Sequence, residues 1–191
     1  MLPDLSDRRR QRPAQSSVFS LFLPVRLCSA LLVLALVACS PSLNWREVRG
    51  SDAPYVVLLP AKPTSFARPV DLGGIKVEMS MTAAEVDDVN FAVASAKISD
   101  PAQRQAALAA MQAAMLRNIG SGQHSEKAVM LKGGVPATEV VASGKAGATS
   151  LVLHARFAVH GERVYQAIAL GPAAKLSDEA ADTFLSSFVL H

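Results

Sequence analysis

The stretch TSLVLHARFAVHGERVYQAIAL, Thr149 to Leu170, decides the fold. Leu151, Leu153, Ala155, Phe157 and Val159 alternate with Val152, His154, Arg156, Ala158 and His160. That two-residue period belongs to a β-strand with one covered side. Gly161-Glu162 then supplies a tight turn, and Val164–Leu170 reads as a second strand running back beside the first. Two strands joined this closely must pair antiparallel, because a parallel return needs a crossover.

Upstream, Lys127–Leu131, a Gly133-Gly134 turn, Ala137–Ser143 and a turn spanning Gly144–Gly147 extend the same meander. Asp100-Pro101-Ala102-Gln103 opens a helix predicted to run to about Asn118: Asp100 caps, Pro101 suits the first helical position, and Gln103 sets up a capping box. Leu108, Met111, Met115 and Ile119 form one apolar stripe, the intervening alanines let the helix sit close, and Gly120 ends it. Before the helix come four strand signals. These are Tyr55–Leu59, closed by Pro60 and Pro63; an edge-like Phe66–Leu72 containing Pro69; Ile75–Met81, alternating after Gly73-Gly74; and Asn90–Ile98, apolar or small on both faces. Glu85, Asp87 and Asp88 read as the polar connection between the last two. After the meander, Ser177 caps a short helix with Asp178 and Glu179 in its first turn, and Phe184, Leu185 and Phe188–Leu190 dock the chain end. The expectation is an α+β fold: a mostly antiparallel sheet of six to eight strands, one long central helix and one short C-terminal helix.

Tyr55–Pro60 followed by Pro63, the Gly73-Gly74 hairpin, Phe91 to Asp100 entering the long helix, Gly134 to Glu139, Phe157 to Tyr165 and the closing Phe184–Leu190 carry a resemblance. Together they resemble the PsbP/Mog1-type α/β sandwich over roughly residues 54–190. The resemblance implies a binding or accessory role and supplies no catalytic residue.

The amino-terminal region has a different character. LCSALLVLALVAC, Leu27 to Cys39, follows five arginines (Arg8, Arg9, Arg10, Arg12 and Arg26), the layout of a secretory signal. Its apolar core, Leu27 to Ala38, reaches only about 18 Å as a helix at ~1.5 Å per residue, short of the roughly 20 residues of a membrane span. A merged stretch from Val18 to Val37 keeps an uncleaved anchor as the competing reading. Leu36-Val37-Ala38-Cys39 resembles the lipobox of bacterial lipoproteins, in which the chain is cut before the cysteine and the thiol is acylated with palmitate-type chains. An ordinary cleavage site beside a chance cysteine is the alternative. By the same resemblance, Ser40 in place of an aspartate implies an outer-membrane lipoprotein facing the periplasm. The expected organisation is a signal peptide at 1–38, a lipidated tether at 39–54 and one α+β domain at 55–191. A partly docked edge with a short extended piece at Trp45–Val48 is the alternative to a free tether, and Trp45 is expected to pack on the core.

That cut changes the charge. The whole chain carries +3, but residues 1–38 hold five arginines against Asp4 and Asp7, so the mature chain is neutral. A neutral chain offers no net attraction for nucleic acid or anionic lipid. Cys28 falls on the discarded side and Cys39 is the lipidation site, which leaves no thiol for a disulfide.

Catalytic and metal motifs are missing. G-x-S-x-G, H-E-x-x-H and C-x-x-C do not occur. His154 and His160 share a strand face but stand about 20 Å apart at ~3.4 Å per residue. Glu85, Asp87 and Asp88 lack a calcium-loop pattern, and Gly144–Thr149 lacks the ending of a phosphate loop. Met79, Met81, Met111 and Met115 read as core filler. No catalytic residue, metal ligand or cofactor is assigned. The expected partners are membrane lipid through acylated Cys39 and an envelope protein. A structural lipoprotein without a ligand and a periplasmic hydrolase stand as alternatives, and the sheet face bearing His154, Arg156 and His160 is the candidate patch.

Overall fold

The computed structural model describes residues 43–191, which form one compact unit. Cys39 and the signal region lie outside the described residues. Ten strands and two helices follow in order. They are β1 (Arg46–Arg49), β2 (Tyr55–Leu59), β3 (Thr64–Asp71), β4 (Lys76–Val86), β5 (Val89–Lys97) and α1 (Pro101–Asn118). Next come β6 (Gln123–Met130), β7 (Pro136–Ala146), β8 (Thr149–His160), β9 (Arg163–Pro172), α2 (Asp178–Ser187) and β10 (Val189–Leu190).

Seven strands make an antiparallel sheet in the order β3-β4-β5-β9-β8-β7-β6, and β1, β2 and β10 make a separate three-stranded sheet. Because successive side chains alternate across the large sheet, each face builds its own core. On one face Ala92, Ala94, Leu153, Ala155 and Phe157 meet Ala107 and Met111 of α1. On the other, Phe91, Val93, Tyr165 and Ala167 meet Val57 and Leu59 of β2 and Ala181 and Phe184 of α2. The four methionines pack in the α1-side core, Met79 and Met111 fully buried and Met81 and Met115 partly so.

The expected α+β fold is present, with four local corrections. First, of the two readings of the stretch before Tyr55, tether or partly docked edge, the docked edge holds from Leu43 onward, and the short extended piece read at Trp45–Val48 is a paired strand. Arg46–Arg49 pairs antiparallel with Val56–Leu59, and Leu43, Trp45 and Val48 pack on the core. The polar letters of β1 leave its docking open in the sequence, because backbone pairing to β2 and not apolar pattern makes it a strand. Second, β4 continues past Met81 to Val86, since Thr82, Ala83 and Ala84 find partners in Val93, Ala92 and Phe91. The connection to β5 is then only Asp87-Asp88, both at positive φ (53° and 64°), a two-residue turn that aspartate tolerates better than most residues. Third, Gly144–Ala146 belong to β7, and the turn is Gly147-Ala148. Fourth, Asp100 caps α1 by accepting from the Ala102 N–H at 2.9 Å, but the return bond from the Gln103 side chain is not formed.

Both edges of the large sheet are guarded. β3 carries Arg68-Pro69, and β6 carries Glu126-Lys127 at mid-strand. Proline removes a ladder donor on β3, and charged side chains at mid-strand on β6 keep that edge solvated, both of which disfavour edge-to-edge pairing.

Candidate functional site

Cross-strand register determines which polar side chains meet. On the α2 side of the sheet, Ser65 lies opposite Thr82, Ser80 opposite Ser95, and Ser95 opposite Tyr165. The β1–β2 connection folds over this row. Gly50 permits it, because a Cβ there would sit 2.4 Å from the Tyr55 ring and 2.3 Å from the Ala53 carbonyl oxygen. The result is a cleft of about 170 Å³ lined by Asp52, Tyr55, Ser65, Ser80, Thr82 and Ser95, among others.

Its hydroxyls are partly committed. Ser65 Oγ and Thr82 Oγ1 are hydrogen-bonded at 2.9 Å, Ser80 Oγ donates to Asp52 Oδ2 at 3.2 Å, and Arg163 Nη1 donates to Ser95 Oγ at 3.1 Å. Tyr165, wholly buried next to this row, leaves its hydroxyl without a partner. Sequence reading missed the cleft. Its signal was the run of small hydroxyl residues at Ser80, Thr82 and Ser95, which looks like an open sheet side until Asp52 and Tyr55 close over it.

Burial raises the Tyr55 hydroxyl above the usual tyrosine range, opposed by the neighbouring Thr82 hydroxyl and assisted by the Asp52 charge. Burial likewise raises Tyr165, opposed by the Arg163 charge and assisted by Tyr55. An unfolded chain releases these protons first, near pH ~10, so above that pH it binds fewer protons than the folded chain and stability falls as pH rises. Urea midpoints of the mature domain are therefore expected to drop steeply above about pH 10, with tyrosinate absorbance rising in the same transition. Tyr165→Phe is expected to flatten part of that drop. A midpoint insensitive to alkaline pH would contradict the burial of both hydroxyls.

The residues singled out in the sequence are divided between two other places. His154 and Arg156 do not form an open patch, because α2 lies across them. Arg156 donates through Nε to Glu139 Oε2 at 2.9 Å and through Nη1 to the Leu185 carbonyl at 2.7 Å, tying β7 and β8 to the end of α2. His154 Nε2 stands 3.7 Å from Asp178 Oδ1. Glu139, His154, Asp178, Glu179 and Asp182 rim an acidic cleft of about 330 Å³. His160 lies elsewhere, in a cleft of about 300 Å³ with Lys97, Glu162 and Arg163. Among the described residues no group of three or more His, Cys, Asp or Glu side chains converges as a metal site.

Nucleophilic catalysis needs a hydroxyl or thiol within reach of a base that a third group orients. The cleft with the serines holds no histidine, and the cleft with His154 and its acids holds no serine, threonine or cysteine. What the hydroxyl-lined cleft offers is an uncharged donor and acceptor surface beside one carboxylate, the means of binding a small polar group.

No protein-family model and no curated protein matches the chain. Among solved structures it is similar to the solution structure of cyanobacterial PsbP (CyanoP) from Synechocystis sp. PCC 6803. The TM-score is 0.51 at 14% identity, over 81% of this chain and 96% of that one. Likeness at this identity speaks for the fold alone, and at that level the PsbP-type sandwich expected from the sequence is present.

Proposed function

We propose that this chain is an exported accessory or binding module, held at a bilayer by acylated Cys39 and acting through the surface of its domain. The observation that carries the reading is the Leu36-Val37-Ala38-Cys39 ending of an arginine-flanked apolar run, placed only four residues before Leu43. Two acyl chains on one cysteine suffice for stable attachment where a single chain gives only marginal binding. Ser40 favours the outer membrane and its periplasmic face. Among the described residues no helix is long and apolar enough to cross a membrane. The hydroxyl-lined cleft favours binding over a purely structural role, since a filler domain has no need of a polar recess beside its core.

Mass spectrometry of the mature amino terminus is expected to find Cys39 as the first residue with a diacylglyceryl group. Cys39→Ser, produced behind an ordinary cleavable secretory signal so that the apolar run is removed, is expected to move the protein from the membrane fraction to the soluble fraction with its fold unchanged. An unmodified Cys39 in the membrane-bound protein would sink this reading. Pull-downs with both forms then separate partners met through location from partners met through the domain surface.

A further inference from the structure

The place where the chain enters its fold fixes which end of the domain can meet the bilayer. Leu43 lines a cleft with Asp87, Val89, Lys175 and Leu176, and the Asn44 N–H donates to the Pro60 carbonyl at 2.7 Å. Pairing of Val86 with Val89, Ala146 with Thr149 and Leu151 with Pro172 gathers the Asp87-Asp88 turn, the Gly147-Ala148 turn and the segment after Pro172 at that same end. Pairing of Asp71 with Lys76 and of His160 with Arg163 puts the Gly73-Gly74 and Gly161-Glu162 turns at the opposite end. Four residue steps lead from Cys39 to Leu43 and reach at most about 14 Å when fully extended. The ten residues of β9, which join the two ends, span about 30 Å at ~3.3 Å per step. The attachment is therefore short compared with the sheet.

We infer that the domain stands end-on on a phospholipid surface. The end bearing Leu43, the Asp87-Asp88 and Gly147-Ala148 turns and Ala173–Lys175 meets the headgroups, and the Gly73-Gly74 and Gly161-Glu162 turns point away. This rests on acylation of Cys39. The near end is small and charge-balanced: Ala148, Ala173 and Ala174 are exposed, and exposed Lys62, Lys145 and Lys175 stand beside exposed Glu85, Asp87 and Asp88, so the short attachment and not a basic patch sets this end against the headgroups. Lys175 is shared with Asp88 of the facing turn, which holds two of these loops together. β1 leads the chain away from this end, since Arg46 pairs with Leu59 and Arg49 with Val56. The hydroxyl-lined cleft, at Ser80 and Ser95, is seven residues up the sheet from the Asp87-Asp88 turn. It therefore stays clear of the headgroups and open to a partner in the aqueous phase.

With Cys39 acylated, one added cysteine is the only free thiol of the mature protein. Nitroxide labels at Ala148→Cys and Ala173→Cys report the near end, and labels at Lys76→Cys and Glu162→Cys report the far end. Each is reconstituted as acylated protein in phosphatidylethanolamine–phosphatidylglycerol vesicles and compared with its Cys39→Ser counterpart free in solution. Near-end labels are expected to lose several-fold of their accessibility to a water-soluble relaxation agent on the vesicles, while far-end labels keep theirs. Equal protection at both ends would mean a domain lying flat and would overturn the proposal. So would protection at neither end with acylation verified by mass spectrometry, which leaves the anchor reading intact. Near-end protection in native envelope but not in vesicles would assign that end to a protein and overturn the lipid assignment. Absence of the acyl group would remove both readings together. Trp45 fluorescence, tied to the core through Phe91, shows whether each variant is folded.

Discussion

Phe91→Ala is expected to destabilise the domain by about 3–5 kcal/mol, the range for removing a buried aromatic from a packed core. Phe91 is 1% exposed. Its ring meets Trp45 edge-on at 5.8 Å and Phe184 at 5.5 Å. It therefore joins the segment before β1, the large sheet and α2. Edge-to-face pairs add about 0.5–1.5 kcal/mol beyond burial, and two are lost at once. Domains of this size have about 5–15 kcal/mol of total stability, so the change removes a large fraction of it. At roughly 2–4 °C per kcal/mol for 150–250 residues, the melting temperature falls by about 6–20 °C. Trp45 is the only tryptophan, so its emission is expected to shift to the red in the folded variant, which reports loss of the contact independently of stability. Phe91→Leu, which keeps most of the volume, should recover most of the loss. A loss below about 1 kcal/mol, within the range of ordinary surface changes, would show that Phe91 is not the junction of the three elements.

Phe91 was readable in the sequence as one letter of an alternating strand, and so were the other elements with strong periodicity. β5, β8, β9 and both capped helices stand where apolar spacing and capping residues put them, because burial and backbone hydrogen bonding act on every residue of those segments. What escaped depends on partners distant in sequence. β1 was legible only as a short extended piece at Trp45–Val48 on either a tether or a docked edge; it is polar throughout except Val48, and the ladder offered by β2 is what decides between the two. Asp87-Asp88 makes its hairpin without glycine, so the usual turn signal was missing and β4 looked shorter than it is. Reading the next turn across Gly144–Gly147 also lost the β7–β8 register. Placed at Gly147-Ala148, that register sets Glu139 opposite Arg156. The ion pair beneath α2 then follows, and with it the reason the His154–Arg156 face is not an open patch. The hydroxyl-lined cleft was the least legible feature. It needs side chains from three strands and a loop, and no one segment contains its pattern.

Gly144→Ala sets two effects of opposite sign against each other. Replacing glycine by alanine at a backbone angle alanine accepts usually stabilises by about 0.4–1 kcal/mol, because the unfolded chain loses freedom. Gly144 is not among the residues at positive φ, so on backbone grounds alone the substitution should help. Space decides otherwise. A Cβ at Gly144 would lie 2.0 Å from the Ile119 carbonyl oxygen and 2.9 Å from its carbon, both main-chain atoms that no rotamer change can move aside. The same contact carries a hydrogen bond, in which the Lys145 N–H donates to the Ile119 carbonyl at 3.0 Å and fastens the end of α1 to β7. Ile119 is itself 2% exposed, so relieving the clash lifts a buried side chain out of the α1-side core. Overpacking of this kind costs about 1–3 kcal/mol and the lost hydrogen bond about 1 kcal/mol, several times the entropic gain. After subtracting the entropic gain, a net destabilisation of about 1–3.5 kcal/mol is expected, read as a lower urea midpoint at unchanged slope. Amide exchange should quicken at Ile119 and Lys145 before it does so in β8 and β9. Gly147→Asn is the control: φ there is +61° with no atom within 4 Å of the added Cβ, a conformation asparagine accepts, and its midpoint should stay close to the parent. A Gly144→Ala domain as stable as the parent would mean that α1 does not end against β7.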